Sequence, residues 1–143
     1  MRLYDHDFYA WLQEQATLLQ SGQWGQLDIP NLVEELAALG RQERRELVNR
    51  LGILLGHLLK WQYQPQQRGK SWAATIVGQR QDLQELIADN PSLKPYVRMA
   101  VDNAYQKGVL LVVKETPLSQ NDLPAQCPYT FEQIMDADFY PII

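Results

Sequence analysis

The sequence predicts an all-α fold, a helical bundle of about five main helices plus a short C-terminal helix. Three observations carry this. Apolar residues recur at three- and four-residue steps over most of the chain, the period of an amphipathic helix. The segments with that period open on capping residues and close on Gly or Pro. No stretch alternates apolar and polar residues in the manner of a half-buried strand. With 143 residues the chain is long enough for one real core, and it reads as a single domain over residues 1–143.

The elements follow in order. Phe8, Trp11, Leu12, Ala16, Leu18 and Leu19 share one face of a helix over about residues 6–21, with Asp5 as its cap and Gly22 at its end. Leu27-Asp28-Ile29-Pro30 reads as a helix start, because proline's missing N–H has no partner in a first turn. The stripe that follows is Leu32, Leu36, Leu39, Glu43, Leu47, Leu51, Leu54, Leu58 and Trp61. Its phase runs through Gly40, so one helix over residues 29–63 is allowed. Gly40 and the polar run Arg41–Glu46 argue instead for a break or kink near residues 40–42, and tip the reading that way. Pro65 and Gly69 mark a loop. Ser71 then caps a helix through Ile87, ending at Asn90-Pro91, and Ser92 caps another that reaches about Lys114. Three prolines keep residues 117–128 extended. Thr130-Phe131-Glu132-Gln133 is a capping box for a short last helix.

Composition removes several functional classes. The mean hydropathy is −0.36 and no apolar run approaches the length of a membrane span. Residues 1–7 carry Arg2, Asp5 and Asp7 and no signal-peptide core, so a cytoplasmic protein is expected. Cys127 is the only cysteine, which excludes intramolecular disulfides and cysteine-rich zinc sites. Leu3 and Leu54 stand three residues before His6 and His57, so neither His belongs to a Glu-x-x-His metal pair. No metal site and no cofactor are expected.

Charge is uneven. The net charge is −4, yet residues 41–80 hold eight cations against Glu43 and Glu46, and the rest of the chain is acidic. A solvated, ion-paired helix surface accounts for this, and so does a face for an anionic ligand or partner. Polar side chains also interrupt apolar stripes at Gln15, His57 and Gln79. Such groups must bond one another or face a cleft, because an unpaired buried polar group costs about 1–3 kcal/mol. A short loop joins the helices that carry His57 and Arg80. The candidate polar cleft is therefore Glu35, His57, Lys60, Arg68, Trp72, Gln79 and Arg80. It offers a carboxylate, an imidazole and cations, with Arg68 and Lys70 at its rim.

The succession of short motifs is specific where no single one is. Asp7-Phe8-Tyr9-Ala10-Trp11, Glu34-Glu35-Leu36, Leu39-Gly40-Arg41, His57-Leu58-Leu59-Lys60-Trp61, Gln79-Arg80, Pro91-Ser92-Leu93 and Cys127-Pro128-Tyr129 occur in that order. From Leu3 to Pro141 the chain resembles the domain of unknown function 29 family, bacterial proteins abundant in cyanobacteria. The resemblance implies an all-helical fold and brings no activity or site residue. The functional expectation is a binding or protein-interaction module, with a protein partner or an anionic ligand. The alternative is a nucleic-acid- or phosphate-directed enzyme using the polar cleft around His57.

Overall fold

The computed structural model describes residues 2–142, and among them every regular element is helical. In order these are α1 (Leu3–His6), α2 (Phe8–Gln20), α3 (Ile29–Tyr63), α4 (Lys70–Asp89), α5 (Val97–Glu115) and α6 (Phe131–Met135), with short 3₁₀ turns between them. The all-α expectation is met. The chain divides into two compact units, Met1–Gln42 and Glu43–Ile143.

Local chemistry sets the helix ends, and it moves several from where the periodicity alone places them. The first helix is interrupted at Asp7, whose non-helical backbone (φ −148°, ψ 83°) and side chain make it the cap of α2. Its Oδ1 accepts from the Ala10 N–H at 3.1 Å, so Asp7 rather than Asp5 does the capping. Gly22 ends the segment as expected, with φ at +72° in the left-handed region. The expected break near residues 40–42 is absent, because α3 is one 35-residue helix. The unbroken 3.6-residue phase outweighs the ~1 kcal/mol that one interior glycine costs. Two of the five expected main helices are thereby one. The helix expected from Ser92 begins as a 3₁₀ turn over Pro91–Tyr96, and α5 starts only at Val97. Pro95 is the reason, since its ring and missing N–H do not fit an α-helix interior. The capping box at Thr130 forms as read, with Thr130 accepting from the Gln133 N–H and Gln133 bonding back to the Thr130 N–H.

The unit Glu43–Ile143 contains the main core. Leu47, Leu51, Leu54, Leu55, Leu58 and Leu59 of α3 meet Ile76 and Leu83 of α4, and Ala100, Ala104, Tyr105 and Val112 of α5. Each fully buried Leu or Ile contributes about 1.5–3 kcal/mol. The α3–α5 crossing is tight because it is made of glycine. A Cβ on Gly108 would stand 3.0 Å from the Gly56 backbone nitrogen and 3.2 Å from the Gly52 oxygen. The C-terminal segment packs on this core through Leu123, Tyr129 and Ile134, all buried. The unit Met1–Gln42 is different. Among its described residues Trp11 is the one buried apolar side chain, and the polar Gln15 is the other buried residue.

Candidate functional site

Helix α3 carries one apolar face, and that face changes role along its length. Beyond Glu43 it is core, with Leu47, Leu51, Leu54 and Leu58 at 0 % exposure. Before Glu43 the same face is open, with Ile29 at 53 %, Val33 at 59 %, Leu36 at 66 % and Leu39 at 59 % exposure. Helical phase makes these two halves of one stripe, since residues four and seven apart stack on one side. On α2, Phe8, Leu12 and Leu19 are also more than two-fifths exposed. Contiguous exposed apolar residues of this kind mark a candidate interaction surface.

Within the unit Met1–Gln42, polar contacts hold the helices so that these apolar residues stay outside. The Trp11 Nε1–H donates to the Asp28 carboxylate at 3.0 Å, and the Asp28 N–H donates to Gln15 Oε1 at 2.8 Å. Asn31 donates to the same carboxylate at 2.8 Å. That bond and the one from Trp11 hold the Asp28 carboxyl below its ordinary range. Gln15 thus interrupts an apolar stripe because it accepts a backbone N–H. The Tyr4 hydroxyl donates to the Glu35 carboxylate, which pushes the phenol up to about 12. Tyr4 also meets the Trp11 ring edge-on at 4.7 Å. Glu35, expected in the polar cleft, is placed in this unit as the acceptor of Tyr4.

The other expected cleft residues lie in the unit Glu43–Ile143, and they fall into three groups. Lys60 is buried on α3, and its ammonium pairs with the Glu115 carboxylate at the end of α5. It also sits 5.4 Å from the centre of the Trp72 ring. Lys60 holds the Glu115 carboxyl below its ordinary range. His57, one turn before Lys60, has Nδ1 at 2.8 Å from the Ile53 carbonyl. Burial first, and the Lys60 charge as well, push its imidazole below the ordinary value.

Arg80 forms the second group and points elsewhere. Its Nε donates to the Ile134 carbonyl at 2.8 Å, and its Nη2 to the Phe139 carbonyl at 2.7 Å. Nη1 has no partner among the described residues. Burial draws the guanidinium down from its ordinary value, against the pull of Tyr140 and Asp136. Arg80 lies 5.5 Å from the Tyr140 ring centre, Tyr140 lies 4.9 Å from Trp61, and Arg68 covers Trp61 at 5.6 Å. Arg68 is fixed there by donating to the Trp61 carbonyl at 2.6 Å. Two cations thus bracket two rings tilted 50° to each other, and this cluster clamps residues 134–140 to α3 and α4. Gln79, in the third group, meets Arg50, whose main partners are Glu46 and Asp82, each at 2.9 Å.

Cavities lie along α5. One of about 410 Å³ is bounded by Asp102, Tyr105, Gln106 and residues 125–129, including Cys127. A second, of about 360 Å³, lies between Arg98 and residues 130–132. Burial raises the Cys127 thiol above its ordinary value, the reverse of an activated nucleophile. Among the described residues no group of His, Cys, Asp and Glu is arranged to hold a metal ion. No helix there is long and apolar enough to cross a membrane.

The open stripe was not visible from periodicity, because its two halves read alike. The one signal is Glu43, a carboxylate on the stripe at the point where exposure ends. Compared with known proteins, residues 3–140 match one family model, "Domain of unknown function DUF29". No curated protein matches the chain. No solved structure matches it.

Proposed function

Since the chain belongs to the DUF29 family over nearly its whole length, which brings no activity with it, we propose from the geometry that the protein is a protein-interaction module. Its docking surface is the open half of α3, supplemented by the exposed residues of α2. One observation carries this: Leu36 and its neighbours stay exposed on the very face that is core from Leu47 onward. Contiguous apolar surface on a folded chain marks a place where another protein sits. The lone cysteine suits a bacterial cytoplasmic setting.

The enzyme reading around His57 needs cations free to meet an anion. Lys60 is taken up by Glu115, and Arg80 holds backbone carbonyls of the C-terminal segment. The interaction reading therefore stands first.

The test is affinity capture from a lysate of the source bacterium on the immobilised chain and on a Leu36→Asp/Leu39→Asp variant. Circular dichroism should show equal helix in both. Proteins retained by the parent and lost by the variant support the reading. Equal retention by the two overturns it.

A further inference from the structure

Helix α5 and the proline-rich segment after it enclose one groove. Three cavities, of about 360, 410 and 270 Å³, follow one another along α5. The first shares Val101 and Asp102 with the second, and the second shares Tyr105, Gln106 and Ala125 with the third. The α5 wall runs from Arg98 to Val109, while the facing wall runs back from Glu132 to Gln120. At 1.5 Å per helical residue the groove is ~16 Å long, the reach of about five extended residues. Val101, Tyr105 and Val109 are buried and form its floor. The Tyr105 hydroxyl donates to the Pro124 carbonyl at 2.7 Å and ties the two walls together.

We propose that this groove binds an extended basic segment of another polypeptide, with a Lys or Arg side chain of that segment meeting Asp102. The proposal goes beyond the interaction reading above, since the groove is built wholly within Glu43–Ile143 and makes no use of the open half of α3. Two observations select the occupant. The first is charge. From Pro117 to Ile142 the chain carries Asp122, Glu132, Asp136 and Asp138 and no cation. On the α5 wall, Asp102 lies at the middle cavity, exposed and without an ion pair among the described residues. Arg98, at one end, is the one cation lining the groove. A cationic segment is therefore drawn in, and an acidic one is repelled. The second observation is the hydrogen-bonding pattern. Between Pro124 and Pro128, the N–H groups and carbonyls of Ala125, Gln126 and Cys127 have no hydrogen-bond partner among the described residues. An extended chain laid along them can pair with this backbone as an added strand does. The exposed carboxamides of Gln106, Gln120, Asn121 and Gln126 line the same groove, and each donates and accepts as a peptide unit does.

The test applies the purified full chain to an array of octapeptides in which each position is varied among Lys, Arg, Glu, Leu and Ala. Retention is expected on peptides with a Lys or Arg among apolar neighbours, and it should fall as salt rises. Asp102→Lys, and Gln106→Trp, which fills the groove, should each weaken it by roughly tenfold or more. Neither should lower the Tm, since both side chains are exposed. A retained peptide should also slow the labelling of Cys127 by N-ethylmaleimide, because this only thiol lines the middle cavity. The Leu36→Asp/Leu39→Asp variant should bind the peptides as the parent does. No retained peptide, retention indifferent to either groove substitution, unslowed labelling of Cys127, or retention lost in the Leu36→Asp/Leu39→Asp variant overturns the proposal. Equal protection of Cys127 by spermidine also overturns it, since the groove then takes a free polyamine.

Discussion

Leu36 and Leu47 lie three turns apart on the same face of α3, and Leu47 is sealed at 0 % exposure while Leu36 stands 66 % open. One helix thus supplies both the core of one unit and the unpartnered surface of the other.

The glycine crossing gives the sharpest stability prediction. Gly108→Ala drives a methyl group toward the Gly56 backbone nitrogen and the Gly52 oxygen, neither of which can step aside. Gly56→Ala meets the Leu111 Cδ2 at 2.8 Å, the far end of a flexible side chain, although the Gly108 oxygen lies at 3.3 Å. Gly108→Ala should therefore cost about 1–3 kcal/mol, and Gly56→Ala less. Urea denaturation of the two variants checks the order.

Arg80 is a clamp on the C-terminal segment. Arg80→Lys keeps the charge but cannot span the Ile134 and Phe139 carbonyls together. The expected loss is on the order of 3 kcal/mol. Amide exchange should quicken first over residues 131–140, ahead of the α3 core. Unchanged exchange there would show that the Trp61–Tyr140 contact alone holds the segment.

Acid should weaken the fold in two stages. Burial holds His57 below its ordinary value of 6.5, so below that pH the unfolded chain binds more protons than the native one. Its contribution is complete above 6.5 and is lost as pH falls through the depressed native value. Lys60 holds Glu115 below its ordinary 4.5, which adds a second loss with the same sign at lower pH. Urea midpoints should fall from about pH 7.5 to about pH 5.5, and His57→Gln should flatten that limb. The loss below 4.5 should remain in the variant.

Much of the architecture was legible because local chemistry and helical period agree. Pro30, Gly22 and the Thr130 box read directly, since each has one dominant conformational consequence. Pro95 overrode the Ser92 signal, and Asp7 took the cap from Asp5. Both outcomes turn on a single backbone group that a stripe of apolar residues does not register. Gly40 misled because its local cost is smaller than the gain from a stripe in phase on both sides. The polar residues were legible as a set but not as partners. Arg80 meets carbonyls more than fifty positions away, and Lys60 meets Glu115 on another helix, pairings that only the fold creates. The open face was hidden for the opposite reason. Leu36 and Leu47 carry the same sequence signal, and only the packing tells them apart.

That difference is also the most direct test of the account. Leu36→Ala and Leu47→Ala make the same deletion on the same face of the same helix. Urea unfolding should be measured on each, dilute enough that the chain is monomeric. Leu47→Ala should cost about 2.7–5 kcal/mol, the range for a buried leucine, and Leu36→Ala should stay within about 0.5 kcal/mol of the parent. Equal, large losses at both positions would mean that Leu36 is covered within its own chain, and that no open face exists for a partner to occupy.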